Sequence, residues 1–497
     1  MCRAQRPPGI PDSGCPSLGV TARAPSRMAE GERNMRNLQR KRIRRRVYEA
    51  YGIAARLVVG ACIVVLLLLT IPRPAPAGGE TMPRVLLDQS KFVSTERAWQ
   101  PFAARMEICP DCAVATGVSR SGRDGSLQIQ CRDAVQYGGW ARTIPGIKTG
   151  AWYRFDAYYR AEGVRAEQRA VVARLDWRDR SDGMAGRPYY VYQTEDAGDG
   201  WKHVWALAPA PDGVASVRLE LLFGWSPGGT VWWDEIRLSE SDPPAPRPVR
   251  IATIHHAPEG NASAHANIEE FCDLIDRAAE SKPDIICLPE GMTMVGTGLT
   301  YEQVAEPIPG PTSERLGEKA RQHGCYLVAC YGERDGSAIY NTAILVDRKG
   351  KLVGKYRKAY LPREEVEAGV TPGDECPVFE TDFGKVGLMI CWDVQYTEPA
   401  QRLALKGAEI VLLPIWDGSE TLMKARAIEN RVFLVTCAYG NPSWVLNPDG
   451  QVLAEAGSDS RTGVAIADID LSRRYGQPWI DEDMRAHFFK EHRGDLR

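Results

Sequence analysis

The stretch Lys385-Val-Gly-Leu-Met-Ile-Cys391-Trp-Asp393 decides how this chain is interpreted. Its apolar run predicts a buried strand, and a cysteine follows at the carboxyl end of that strand. Two other blocks carry groups that a nucleophilic cysteine needs. Asp284-Ile-Ile-Cys-Leu-Pro-Glu290 is a second apolar run that ends in a carboxylate, and Lys355-Tyr-Arg-Lys358-Ala-Tyr-Leu-Pro362 places a lysine just before a break. Glutamate, lysine and cysteine at strand edges, in that chain order, indicate a thiol hydrolase.

The bulk composition is that of a globular protein with more than one domain. The chain has 497 residues, of which 44% are hydrophobic and 25% are charged. This length predicts two or three domains. The formal net charge of −2 gives no indication of a nucleic-acid partner.

The amino-terminal region predicts export. Residues 1–52 are polar and basic and predict disorder, and a basic run, Arg40–Arg46, lies within them. Residues 53–77 follow as a signal peptide or membrane anchor, with an apolar core at Leu57–Ile71 and a small-residue site at Ala75–Ala77. Cleavage after Ala77 would release the protein to the periplasm or the exterior. The alternative is an uncleaved anchor formed by residues 53–71.

A proline-rich linker, residues 241–248, divides the rest of the chain. Before it, residues 84–240 contain many short runs that alternate between apolar and polar side chains. Period-two alternation predicts an all-β sandwich. This region holds nine of the 13 tryptophans, so aromatic rings form a large part of its core or its surface.

After the linker, residues 249–497 alternate between predicted strands and helices. Strands are predicted at Val249–Ile254, 284–289, 326–331, 342–346, 386–390, 409–413 and 432–436. This alternation predicts an α/β domain with helices on the faces of a sheet. Functional sites in such domains gather at the carboxyl ends of strands, where Glu290 and Cys391 both lie.

The chemistry of these groups is consistent with covalent catalysis. Cys391 would attack an electrophilic carbon, Glu290 would act as general base, and Lys358 would stabilise the developing negative charge. A thioester-type intermediate would form and water would then hydrolyse it. Taken singly, each residue also has an ordinary structural interpretation: a small core residue, a helix cap and a solvated surface charge.

Together the three blocks resemble the nitrilase superfamily, also called carbon–nitrogen hydrolases. The resemblance rests on Cys-Leu-Pro-Glu290, Tyr-Arg-Lys358-x-x-Leu-Pro and Gly-x-x-Ile-Cys391-Trp-Asp, and it covers residues 249–475 approximately. It implies an αββα sandwich and hydrolysis of an amide or nitrile without metal or cofactor. It also implies homo-oligomers built on paired sandwiches.

The resemblance implies further site residues. The family usually has a second glutamate between the lysine and a later Pro-Gly, and Glu364, Glu365 and Glu367 all precede Thr371-Pro-Gly373. Glu367 fits the spacing best, and an acidic loop is the alternative. The backbone N–H of the residue after the cysteine, Trp392 here, would help to hold the oxyanion. The three candidates for the substrate pocket are Trp392, Trp416 and Asp417.

Two departures from the family pattern bear on the substrate. Many members carry arginine four residues after the cysteine, where this chain has Gln395. In branches that act on substrates with a free carboxylate, an arginine near this position can grip that group, so its absence argues against ω-amides and N-carbamoyl amino acids. The family's histidine two residues after the lysine is Tyr360 here.

The region before the linker resembles a galactose-binding-like β-sandwich, a jelly roll of the kind found in carbohydrate-binding modules. The resemblance implies carbohydrate binding through aromatic faces, against the alternative that the tryptophans fill the sandwich's own core. The leading hypothesis is therefore an exported amidase-type or nitrilase-type hydrolase. The alternatives are an N-acyltransferase on the same scaffold and a catalytically idle carbohydrate-binding protein.

Overall fold

The computed structural model describes residues 83–89, 98–120, 122, 125–458, 461–477 and 483–493. All of them belong to one compact unit, Met82–Arg497. The predicted amino-terminal segments, residues 1–52 and 53–77, lie outside the described residues. In the described part of the chain no helix is long and apolar enough to cross a membrane.

The first half of the described chain folds into two antiparallel sheets. Its strands are β1 (Val85–Asp88), β2 (Gln100–Phe102), β3 (Asp111–Ala115), β4 (Ser126–Gln130), β5 (Tyr137–Pro145), β6 (Trp152–Glu162), β7 (Val171–Arg178), β8 (Tyr189–Val191), β9 (Gln193–Asp196), β10 (Trp201–Pro209), β11 (Ser216–Gly224) and β12 (Thr230–Ser241), and a short helix α1 (Glu167–Ala170) precedes β7. One sheet has the order β3-β4-β12-β6-β10-β9, with β1 also paired to β12, and the other has the order β2-β5-β11-β7-β8.

The two sheets share one hydrophobic core, as period-two alternation requires. Successive residues of β6 alternate between buried and half-buried, because side chains of a strand point to opposite faces. Four tryptophans belong to this core: Trp99, Trp140, Trp177 and Trp233. These rings therefore pack within the sandwich. The jelly-roll assignment and the domain boundaries at 84–240 and 241–248 stay predictions.

The second half contains strands and helices in alternation. Its strands are β13 (Pro248–His256), β14 (Ile285–Cys287), β15 (Tyr326–Asp335), β16 (Ala338–Val346), β17 (Leu352–Arg357), β18 (Val378–Glu380), β19 (Lys385–Leu388), β20 (Ile410–Pro414), β21 (Phe433–Cys437), β22 (Ser443–Leu446), β23 (Val452–Ala456) and β24 (Thr462–Asp470). Its helices are α2 (Ala264–Ala279), α3 (Tyr301–Val304), α4 (Pro311–His323), α5 (Arg363–Glu367), α6 (Glu398–Leu405), α7 (Glu420–Asn430) and α8 (Met484–Glu491).

These elements form a layered α/β fold. One sheet has the order β17-β16-β15-β14-β13-β24 and the other has the order β18-β19-β20-β21-β22-β23. Buried side chains of both sheets, such as Val328 and Leu412, pack into one core, which also receives Leu403 of α6 and Met423 of α7. The outer face of the first sheet packs on α2 and α4 in a second core. The order of layers is therefore helix, sheet, sheet, helix, as predicted.

Helix α2 shows how the sequence determines this packing. Ser263 caps its start, since the Ser263 side chain accepts a hydrogen bond from the backbone N–H of Ala266. Its buried residues include Ile268, Phe271 and Ile275, which recur at helical spacing and so form one apolar face.

The carboxyl-terminal helix α8 connects the two halves of the chain. Arg485 at its start donates to the carbonyl of Ala408, at 2.9 Å, in the α/β half. Further along, Phe489 stacks on Tyr192 beside β8, and the Lys490 ammonium donates to the carbonyl of Val171 at 3.1 Å. The sandwich and the α/β half are thus joined by α8 as well as by the linker.

Candidate active site

Three strand ends bring Glu290, Lys358 and Cys391 to one place. Glu290 follows β14, Lys358 directly follows β17, and Cys391 follows β19. Glu290 is 2% exposed and Lys358 is 1% exposed. The Cys391 thiol lies beside the Glu290 carboxylate and interacts with it, and the charge of Lys358 also acts on this thiol. The three residues therefore form one cluster, in which Glu290 and Lys358 are buried and Cys391 is half-buried.

The ammonium of Lys358 is held by two carboxylates. Its Nζ donates to Glu290 Oε1 at 2.9 Å and to Glu365 Oε1 at 2.8 Å. Its backbone is fixed as well, because the Lys358 N–H donates to the carbonyl of Asn341 at 2.9 Å. A buried lysine needs such partners, since an unpaired buried charge is very costly.

Two residues of the cluster were not identified from the sequence. The Asn341 amide donates to Glu290 Oε1 at 2.8 Å and to Glu365 Oε1 at 2.9 Å. The Tyr301 hydroxyl donates to Glu365 Oε1 at 2.9 Å. Asn341 is a polar residue in the middle of the buried strand β16, and that signal could have identified it. Tyr301 begins a short helix that is distant from Glu365 in the sequence, and it offers no comparable signal.

The second glutamate of the cluster is Glu365, and the expectation for Glu367 is corrected accordingly. Glu367 lies on the exposed face of α5, where it accepts a hydrogen bond from Arg363 at 2.7 Å. Glu365 is buried and faces Lys358. Two residues apart on a helix are about 200° apart around its axis, so only one of the pair faces the cluster. Spacing from the Pro-Gly turn did not determine which.

Substitution of each glutamate in turn tests this placement. We expect Glu365→Gln to lower kcat by about 10²-fold or more, because the Lys358 ammonium loses one of its two carboxylates. Glu367→Gln is the matched control on the same helix and should change kcat by less than about twofold. Steady-state rates and melting temperatures of both variants are the measurement. Equal kcat values for the two variants would show that Glu365 has no role in catalysis.

Cys391 occupies a strained turn that the neighbouring Asp393 stabilises. Cys391 has a φ of +41° and begins a 3₁₀ turn, Cys391–Gln395, a conformation that is uncommon for residues other than glycine. The buried Asp393 carboxylate accepts hydrogen bonds from the Ile390 N–H at 2.8 Å, the Tyr356 hydroxyl at 2.7 Å and the Tyr360 N–H at 3.0 Å. These bonds fix the backbone on both sides of the site, as strained functional residues require.

Burial has the largest single effect on the pKa values of Cys391, Lys358 and Asp393. It raises the pKa of the Cys391 thiol, and the charge of Glu290 raises this pKa further, while Lys358 and the backbone N–H of Trp416 offset only part of the effect. Burial alone would lower the pKa of Lys358, but the surrounding Glu290, Cys391 and Glu365 raise it above its usual value. Burial also raises the pKa of Asp393 to about 6, against its hydrogen-bond donors. The resting cluster thus contains a protonated thiol beside a carboxylate and a charged lysine.

The segments that follow Cys391 and β20 carry exposed aromatic rings. Trp392 is 38% exposed, and Tyr396 and Trp416 are each 41% exposed. Trp416 lies near the cluster, because its backbone N–H lowers the pKa of the Cys391 thiol. The exposed Asp417 follows Trp416 on the same loop. The assignment of Trp392, Trp416 and Asp417 to a substrate pocket stays a prediction, and Tyr396 was not predicted.

Comparison with known proteins identifies a family and several relatives. The family model described as carbon-nitrogen hydrolase matches residues 250–478. The omega-amidase NIT2 of Xenopus tropicalis is 34% identical over 232 residues, covering 41% of this chain and 83% of that protein. A nitrilase of Pyrococcus abyssi is 35% identical over 243 residues, covering 45% of this chain and 90% of that protein. The solved structure of Nit3 of Saccharomyces cerevisiae is 26% identical, with a TM-score of 0.41, and covers 45% of this chain and 90% of that one.

The segment that matches the family model lies in the α/β half, and the two relatives are matched over 83% and 90% of their own length. The chain therefore belongs to the carbon–nitrogen hydrolase family of the nitrilase superfamily. It is an amidase-like enzyme, and its α/β half has the nitrilase-type fold.

Proposed function

We propose that the protein is an exported amide hydrolase in which Cys391 is the nucleophile and Glu290 is the general base. The observation that carries this proposal is the buried cluster in which the Cys391 thiol, the Glu290 carboxylate and the Lys358 ammonium meet. Glu365, Asn341 and Tyr301 would be positioning residues that hold the carboxylate and the ammonium in place.

The first half of the reaction forms a thioester. The thiol proton passes to the Glu290 carboxylate as Cys391 Sγ attacks the amide carbon, and the transfer is short because the carboxylate lies beside the thiol. The Trp392 N–H lies in the first turn of a short helix, where backbone N–H groups have no partner within the helix, so it can donate to the oxyanion. Glu290 then returns the proton to the departing amine.

The second half hydrolyses the thioester. Glu290 accepts a proton from water, the hydroxide equivalent attacks the thioester carbon, and the acid leaves as the proton returns to Cys391 Sγ. Glu365 supports both halves by keeping Lys358 charged and in position. Its Oε2 is buried and has no hydrogen-bond partner in the described structure, so this oxygen is free to receive a donor from the substrate or from water.

The side chains that follow Cys391 and β20 favour an uncharged, apolar acyl group. Trp392, Tyr396 and Trp416 offer exposed ring surface, on which an apolar acyl chain would pack. The exposed Asp417 follows Trp416 on the same loop, and the family resemblance implies that Gln395 stands where an arginine would grip a substrate carboxylate. An anionic acyl group would thus meet a carboxylate without a compensating cation from position 395.

A panel of primary amides tests the function and this selectivity together. Ammonia release from hexanamide should exceed that from succinamate, with kcat/KM higher by about tenfold or more, because the anion is repelled and the aliphatic chain finds ring surface. Pentanamide and glutaramate provide a second matched pair. Faster turnover of the anionic amides would contradict the proposed selectivity, and no ammonia from any primary amide would contradict the amidase assignment itself.

Export is proposed from the sequence of residues 53–77. Native protein is expected to begin near Gly78 by amino-terminal sequencing. If Leu57–Ile71 is retained as an anchor, full-length protein is expected in the membrane fraction, with residues 78–497 open to external protease. Full-length protein in the soluble cytoplasmic fraction would contradict both forms of the proposal. Carbohydrate binding by the sandwich and assembly into homo-oligomers stay predictions.

A further inference from the structure

A second cavity lies between the sandwich and the α/β half, at the sheet edge opposite the active site. Its volume is about 700 Å³, and it is lined by β8, β9 and β10 on one side and by Lys385, Phe433 and the segment after β24 on the other. Strands β19, β20 and β21 run parallel, begin beside this cavity and end near Cys391. Each strand residue spans about 3.3 Å, so the cavity and the active site lie roughly 15–20 Å apart. Cavities of this size at domain interfaces commonly bind small molecules.

The cavity is lined by more cations than carboxylates. Seven lysine and arginine side chains line it, against four carboxylates. Those carboxylates have partners: Glu409 receives two hydrogen bonds from Arg247, at 2.7 and 2.9 Å, and Glu195 pairs with His203 at 2.8 Å. The other two carboxylates also have partners: Glu380 lies 3.4 Å from Lys385, and Asp483 caps the start of α8.

Three of the lining cations lack a carboxylate at ion-pair distance within the described residues. Lys406 donates only to the carbonyl of Cys376, at 2.7 Å. Arg485 donates to three backbone carbonyls. Arg473 is exposed and lies over the ring of Tyr475, at 5.1 Å. Each of these cations has donors free to bind an anion.

A fourth cation, Arg431, is buried with poor compensation. Its side chain is 9% exposed, and the partners of its guanidinium are distant, with Asp449 at 3.4 Å and the carbonyl of Pro448 at 3.5 Å. Burial lowers the pKa of Arg431, and Asp449 offsets only part of this effect. The Arg485 guanidinium donates to the backbone carbonyl of Arg431 at 3.0 Å, so these two cationic residues adjoin in the cavity wall. A bound anion would stabilise this arrangement.

We propose that this cavity binds a small organic anion, a carboxylate or a phosphate ester with an apolar part. Arg473, Arg485 and Lys406 would contact the anionic group, and the aromatic side chains of the wall, among them Trp205 and Phe433, would contact the apolar part. The ligand would bridge the sandwich and the α/β half. This inference does not depend on the catalytic assignment.

Isothermal titration calorimetry at one fixed ionic strength tests the proposal. The probes are inorganic phosphate, phenyl phosphate, benzoate and the neutral benzyl alcohol. Phenyl phosphate or benzoate should bind saturably and at least about tenfold more tightly than benzyl alcohol, since charge-assisted hydrogen bonds are lost in the neutral probe. Comparison of phenyl phosphate with benzoate identifies which anionic group the cavity prefers.

Two variants assign the binding to this cavity. Arg473→Gln removes an exposed guanidinium, so folding should be preserved, and it should weaken the preferred anion by about tenfold. Arg132→Gln is the matched control, since Arg132 is an exposed arginine outside the cavity, and it should leave the dissociation constant unchanged. Unaltered affinity in Arg473→Gln, equal affinity for benzyl alcohol, or absence of saturable binding by all four probes at millimolar concentration would each overturn the proposal.

Discussion

Cys391→Ala is expected to lower kcat by roughly 10⁴-fold or more, because it removes the nucleophile, and the neighbouring Cys330 thiol is fully buried and donates to Asn341 Oδ1. The variant should fold, since alanine is smaller than cysteine and does not add to the strain of a backbone with φ of +41°. Its melting temperature should therefore stay close to that of the wild type. Intact mass spectrometry during turnover of a slow amide should show an acyl adduct on the wild type and none on the variant.

Peptide mapping of that adduct separates a catalytic cysteine from a merely reactive one. The acyl group should be recovered on the peptide that contains Cys391. Cys109→Ala is the matched control, because Cys109 is a half-buried free thiol of the sandwich and its loss should change kcat by less than about twofold. Substantial turnover by Cys391→Ala, or an adduct on another residue, would contradict the proposed nucleophile.

The strands that carry the site could be predicted because their signals are local. The runs before Glu290 and Cys391 are apolar throughout and are buried in β14 and β19, as strands between other layers must be. Their order along the chain, with helices between them, also predicts a sheet whose carboxyl ends gather the functional groups. Both signals rest on neighbouring residues, so one sequence is enough to detect them.

The partners of the catalytic groups could be predicted less well, because they depend on side-chain direction and on distant contacts. Glu365 and Glu367 are nearly equivalent in sequence, and only the start of α5 determines which of them faces Lys358. Tyr301 lies 64 residues before the Glu365 carboxylate to which it donates. The docking of α8 on the sandwich is likewise invisible in the sequence, where the proline-rich linker indicates only a boundary.

Lys358→Met should produce the second large effect, on both rate and stability. The Lys358 ammonium is the group that the carboxylates of Glu290 and Glu365 share, at 2.9 and 2.8 Å. Its removal leaves two buried carboxylates close together without a cation, and breaking a buried ion pair in this way typically costs about 3–5 kcal/mol. We also expect kcat to fall by about 10²–10³-fold, because the positive charge beside the reacting atoms is lost.

The pH dependence of unfolding distinguishes this explanation from a simple packing defect. Protonation of either Glu290 or Glu365, which lack a cation in this variant, relieves the repulsion between the two carboxylates. The folded Lys358→Met variant therefore binds a proton more tightly than the unfolded chain does. The free energy of unfolding should therefore be larger at mildly acidic pH than at neutral pH, relative to the wild type under the same conditions. Lys351→Met, at an exposed position just before the same strand, is the control and should show no such difference.

Lys358→Arg retains the charge but not the shape of the ammonium. It should therefore recover more of the lost stability than of the lost rate. A Lys358→Met variant with wild-type stability at neutral pH would show that the two carboxylates do not depend on this lysine.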